Sequence, residues 1–162
     1  MADRFSTNLK AILVMEDLSN GSFQFSQQDC LTIQDFHYCC NRGKNDEGIV
    51  GGVTGSSMMS MSVRLHELSE NKRFYDGLIS RSPSPFTILF NAEFGNDGKL
   101  KDYENAMTVF GYIVDVQEHF STMVGADATS APMSIHIEIQ RTKMVFHGKD
   151  SSKTLDIIHT DE

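Results

Sequence analysis

Five glycines crowd the stretch NRGKNDEGIVGGVTGSS, Asn41 to Ser57: Gly43, Gly48, Gly51, Gly52 and Gly55. Glycine clusters of this kind can wrap a phosphate, because backbone N–H groups reach an anion closely only where no side chain intervenes. A phosphate loop needs Gly, four residues and then Gly-Lys-Ser/Thr, set between a strand and a helix. Here Gly43-Lys44 is followed by Asn45, and the stretch joins one alternating segment to another. No helix N-terminus stands ready for an anion, so the glycines do not imply phosphate chemistry. A connection this long usually has a task of its own in a compact domain. Ile49, Val50 and Val53 supply apolar anchors with which it could dock on another surface.

The other reactive residue types fare no better. The six histidines, His37, His66, His119, His136, His147 and His159, form no HxH or HExxH arrangement of metal ligands. His136 falls between the apolar positions Ile135 and Ile137, on the wet side of a strand. Asp115, Glu118 and Glu138 lie on or near strands and are not paired for acid–base work. Ser56, Ser57 and Ser60 follow GVTG without the G-x-S-x-G spacing of a nucleophile elbow. Cys30, Cys39 and Cys40 are odd in number, and neighbours on a strand project to opposite faces, so Cys39 and Cys40 do not suit one zinc ion. All three read as reduced, small apolar residues. No catalytic residue, cofactor or metal is expected.

Composition narrows the partners. The 162 residues carry a formal net charge of −8 and no cluster of Lys and Arg, which argues against nucleic acid. The early apolar run AILVM, Ala11 to Met15, is too short for a signal-peptide core or for a span of about 20 residues. The expectation is a chain that starts in the cytoplasm with no signal peptide and no membrane insertion. Asn20-Gly21-Ser22 then reads as a turn rather than a glycan acceptor.

The elements that position these residues are mostly strands. LKAILVM from Leu9, DCLTIQDFHYCC from Asp29 and MSMSVRL from Met59 alternate with period two. In the last of these, Met59, Met61, Val63 and Leu65 share one face. The period then changes: LSENKRFYDGLIS puts Leu68, Tyr75, Leu78 and Ile79 near one side of a short helix, 68–80. Ser69 is its candidate N-cap, Gly77 weakens it by about 1 kcal/mol, and Pro83 and Pro85 end it. FTILFNAEF resumes the strands, and Asp97-Gly98 predicts a tight turn.

In MTVFGYIVDV, Phe110, Tyr112, Ile113 and Val114 leave neither face polar, as in a strand covered on both sides. Since a small barrel has room inside only for side chains, the outer cover is assigned to other copies of the chain, with the helix 68–80 of the same chain as the alternative cover for all or part of it. MSIHIEIQRTKMVF alternates through Met133, Ile135, Ile137 and Ile139, then shifts parity to Met144 and Phe146, the signature of a bulge or corner. The fold class is all-β with one short helix, a small barrel of two packed antiparallel sheets. Residues 1–8 form an N-terminal segment, 9–147 the barrel with an extended loop 41–57, and 148–162 a polar tail around LDII that could dock or pair weakly.

The order FHYCCNRG, GIVGGVTG, alternating strand, helix, hairpin, FGYIVDVQEHF and APMSIHIEIQRTKM resembles the Hcp (TssD) tube proteins of type VI secretion, in their Bacteroidetes form. The resemblance covers Leu9 to Phe146 and is most specific at Arg42 with Gly48, Gly51 and Gly52, at Gly111–Val114 with Glu118 and Phe120, and at Pro132–Ile135. It implies a structural subunit without catalysis that closes into homohexameric rings. The rings stack into a tube that is ejected with effectors, with the VgrG spike and the contractile sheath as further partners. It also implies that Arg42, Gly48, Ile49, Val50, Gly51, Gly52 and Val53 form a ring-contact loop, and that Phe110, Tyr112, Ile113 and Val114 lie on a subunit-interface strand. The alternatives are a monomeric ligand-binding β-barrel carrier and an enzyme whose site assembles across strands.

Overall fold

The computed structural model describes residues 10–18, 24–38, 41–44, 50–54, 58–65, 70–120, 133–147 and 152–156, of which 41–44, 50–54 and 152–156 are described as backbone. In chain order the elements are β1 (Ala11–Val14), β2 (Leu31–Tyr38), β3 (Asn41–Lys44), β4 (Val50–Thr54), β5 (Met58–Arg64), α1 (Asn71–Ile79), β6 (Ser84–Phe90), β7 (Glu93–Phe94), β8 (Leu100–Asp102), β9 (Asn105–Phe120), β10 (Met133–His147) and β11 (Ser152–Asp156). β10, β5, β2, β1, β6 and β9 lie side by side, and β9 returns to pair with β10, so one sheet curls and closes on itself. All six seams are antiparallel. β3 pairs with β4, and β7 with β8, in two separate ribbons.

The alternating stripes read from the sequence meet in register. Ile135, Ile137 and Ile139 of β10 stand opposite Val63, Met61 and Met59 of β5, all at 0–1% exposure. Residues directly opposite share a face, so these pairs fill the barrel interior, each large side chain contributing roughly 1.5–3 kcal/mol through burial. Phe74 of α1 joins this interior cluster at 0% exposure together with Phe86 and Val109.

The predicted parity shift is a bulge. Arg141 pairs with Gly111 and Lys143 with Phe110, which leaves Thr142 as the extra residue. Two similar steps leave Val114 extra in β9 and Gln34 extra in β2. The turn at Asp97-Gly98 also forms: Gly98 has φ 77° and its N–H donates to the Gly95 carbonyl at 3.0 Å.

A second layer lies outside the wall. Val14, Leu89 and Ala106 pack with Leu18, Phe25 and Cys30 from the connection between β1 and β2. Across this wall runs a buried polar chain. Thr87 Oγ1 donates to the Glu16 carbonyl at 2.9 Å, so it accepts from Thr108 Oγ1 at 3.0 Å. Thr108 has then used its only proton, and it accepts from His147 Nε2 at 3.0 Å. Donor counting therefore fixes His147 with its proton on Nε2.

Burial pushes the His147 imidazole below the ordinary histidine value. The unfolded chain thus binds a proton where the folded chain does not, and stability falls as pH drops through the ordinary range near about 6.5. Urea unfolding between about pH 7.5 and about pH 5 checks this. The parent should lose more stability than His147→Gln, whose amide keeps a donor for Thr108 but cannot titrate. Equal losses would assign the pH dependence to other groups.

Candidate assembly surfaces

The Gly-rich segment forms a ribbon. Asn41 pairs with Thr54, Arg42 with Val53 and Lys44 with Val50, so Gly51 and Gly52 of one strand stand opposite the single residue Gly43 of the other. Val50, Gly51, Gly52 and Val53 are therefore strand residues of β4, and Arg42 is a strand residue of β3. Gly48 and Ile49 lie outside the described residues, as do Cys39, Cys40, His66, Ser69 and His159. The tail also holds a strand: β11 pairs with β10 from Lys143↔Asp156 to His147↔Ser152.

β9 carries the second expected surface. Phe110 and Tyr112 are half-buried, and Lys143 Nζ sits 5.5 Å from the Phe110 ring centroid. Val114, at its bulge, is 45% exposed. Ile113 belongs to the interior cluster. It is 3% exposed and covered within the chain by α1, where a Cβ on Gly77 would stand 2.6 Å from Ile113 Cδ1.

Glu118 holds α1 in place. One carboxylate oxygen accepts from Asn71 Nδ2 at 2.7 Å and the other from Tyr75 Oη at 2.9 Å. The bond from Tyr75 to Glu118 raises the phenol pKa above its ordinary value. The apolar side of the helix read from the sequence faces outward. Phe74 and Gly77 face the barrel, while Tyr75, Leu78 and Ile79 are 39%, 38% and 79% exposed. These three have the i, i+3, i+4 spacing of one helical face, which here looks outward. Phe120, at the end of β9, is 59% exposed.

The chemistry of the remaining groups is modest. His136 Nδ1 lies 2.9 Å from Ser62 Oγ on the outer wall, and His37 and His119 are exposed. Among the described residues no three His, Cys, Asp or Glu side chains cluster as metal ligands. Burial, with the Asp29 charge adding to it, pushes the Cys30 thiol up to about 12, far from a nucleophile's range. Two surface cavities of about 470 and 540 Å³ are bordered by Gln24, Phe25 and Lys99, and by Lys10, Glu93, Asp102 and Glu104. Neither is lined by the side chains that fill the barrel. Among the described residues no helix is long and apolar enough to cross a membrane.

Arg141 was not singled out by its sequence. It is 1% exposed, with Nη1 2.9 Å from Met144 Sδ and its guanidinium 5.4 Å from the Tyr38 ring centroid. The signal was there: two positions after Ile139, strict alternation puts residue 141 inside.

Comparison with solved structures decides the architecture. A crystal structure of an Hcp protein superposes with a TM-score of 0.60 at 9% identity, covering 94% of this chain and 98% of that one. The Hcp protein from Flavobacterium johnsoniae gives 0.52 at 11% identity, covering 82% and 96%. This chain has the Hcp fold. A further structure with the fold, a type six secretion system protein, gives a TM-score of 0.60 at 7% identity over 91% of this chain and 95% of that one. No family model and no curated protein sequence matches the chain. The likeness is one of fold, at 7–11% identity.

Proposed function

We propose that this chain is a structural subunit of a type VI secretion tube: it closes into homohexameric rings that stack and are ejected with effectors. On this reading it has no catalytic site. It assembles in the cytoplasm, and the VgrG spike, the contractile sheath and effector proteins are its partners outside the ring. The observation that carries the proposal is an apolar stripe, Tyr75, Leu78 and Ile79, left facing outward on the helix of a chain with the Hcp fold. An uncovered apolar helix face beside a well-packed barrel marks a contact surface. Identical copies meeting head to tail give such a patch a partner and form a ring when the rotation closes.

Native mass spectrometry and negative-stain imaging of the purified protein test this directly. The proposal expects a species of about six protomers and annular particles. A monodisperse 18.1 kDa protein at high concentration would overturn it.

The β3–β4 ribbon is assigned the contact between stacked rings, with Arg42, Gly48, Ile49, Val50, Gly51, Gly52 and Val53 as its residues. Val50→Asp should leave rings intact and reduce stacked tubes by roughly tenfold or more, because a buried unpaired charge costs more than the 1.4 kcal/mol that a factor of ten requires. Tubes at parental yield in sedimentation would assign stacking to another part of the chain.

A further inference from the structure

β10 has two edges, and they are used differently. Along one, β9 pairs from Met133 to His147. Along the other, β5 takes Ser134–Gln140 and β11 takes Lys143–His147. Both are antiparallel to β10, so β5 and β11 run in the same direction and stand end to end.

Chain continuity supplies a competitor for the place β11 holds. β4 ends at Thr54, just before β5 begins at Met58 opposite Gln140. Continuing that register backwards brings Gly51–Thr54 opposite Met144–His147, to within the one position that the extra residue Thr142 absorbs. β3 and β4 are likewise the outward continuation of the hairpin made by β2 and β5, since Tyr38 pairs with Met59 and Asn41 with Thr54. The natural resting place of β4 is thus the edge of β10 that the C-terminal strand fills. We infer that β4 and β11 are alternative occupants of this edge, and that β11 holds the Gly-rich ribbon off the barrel wall.

Strand chemistry explains why β11 holds the site. Leu155 pairs with Met144, which is 0% exposed in the interior cluster, so register assigns position 155 of β11 to the core face of the sheet. In the continued register β4 would offer that face Thr54 or a neighbour, and it brings Gly51 and Gly52, which weaken any strand they enter. Displaced from the wall, the ribbon keeps its outer edges, with their backbone donors and acceptors, for pairing with another chain. The inference does not depend on ring assembly, because its test is read within single chains.

Disulfide trapping separates the two arrangements, in a full-length background carrying Cys39→Ser and Cys40→Ser. Val145→Cys with Thr154→Cys should oxidise to an intrachain disulfide, since those residues pair directly. Val145→Cys with Val53→Cys should stay reduced. Adding Leu155→Asp, which puts a charge on the core face, should reverse the second result and produce the intrachain Val53→Cys to Val145→Cys disulfide. Thr154→Pro, which removes a ladder hydrogen bond, should do the same if Leu155→Asp fails to fold. In either variant without the cysteines, amide exchange at Lys143–His147 should stay within roughly tenfold of the parent, because β4 replaces β11.

A reduced pair together with a roughly hundredfold or greater acceleration of those amides would show the edge left bare, and would overturn the inference. A disulfide between two chains, seen as a dimer on a non-reducing gel, would give the edge to a second copy and overturn it as well. Neither result bears on whether the parent forms rings.

Discussion

Replacing Gly111 with alanine is expected to lower the melting temperature by roughly 6–12 °C, the mark of about 3 kcal/mol lost. Gly111 pairs with Arg141 across the β9–β10 seam that closes the barrel. A β-carbon there would lie 2.5 Å from Ile139 Cγ2 and 2.6 Å from the Gln140 carbonyl oxygen. The carbonyl belongs to the backbone, so relief requires the seam itself to open. Gly77→Ala is the control. Its β-carbon would come within 2.6 Å of Ile113 Cδ1, the free end of a flexible side chain. Alanine also favours a helix over glycine by about 1 kcal/mol, so the net change should stay within about 1 kcal/mol of zero. Thermal melts of the two variants decide it. Indistinguishable melts would show that the seam spreads as easily as a side chain turns.

Ile79→Asp is expected to leave the protomer as stable as the parent while reducing the ring population by roughly tenfold or more, the equivalent of 1.4 kcal/mol. Ile79 is 79% exposed, so within one chain its loss removes little buried surface and should change stability by no more than about 0.5 kcal/mol. If the stripe is a contact, the carboxylate is desolvated against an apolar neighbour and the cost falls on association. Ile113→Lys should behave in the opposite way. At 3% exposure beneath α1, that side chain belongs to the core, and the variant should melt well before any question of assembly arises. Unfolding followed by circular dichroism, with native mass spectrometry alongside, separates the two. Rings at parental yield from Ile79→Asp would assign the contact to another surface.

What could be read from the sequence followed solvent exposure. Met59, Met61 and Val63, and Ile135, Ile137 and Ile139, were legible because their strands have one wet face, and alternation records it. The bulge at Thr142 was legible for the same reason, as a break in that alternation. The covering of β9 was legible as a fact but not as to its source. Ile113 lies in the core cluster beside Gly77 of α1, and a contact so distant along the chain leaves no local period.

The helix misleads in a different way. Tyr75, Leu78 and Ile79 have the spacing of a buried stripe, yet the barrel takes in the Phe74 ring, and Gly77 allows the close approach. Tyr75 is then held by Glu118, a partner far along the chain that only the packed structure reveals. In the ribbon, glycine-rich sequence carries too little alternation to announce a pair of strands. The Thr87–Thr108–His147 chain was invisible because three polar residues on separate strands become neighbours only through register.

The filling of the barrel interior, Phe74 included, has an implication for transport. A solid stave can wall a pipe but cannot be one. If this chain conveys anything, the passenger travels through a hollow that no single copy owns. The character of that bore is then decided by whichever outer strands turn toward the axis, and a designer wishing to change what passes should repaint the stave's skin and leave its pith alone.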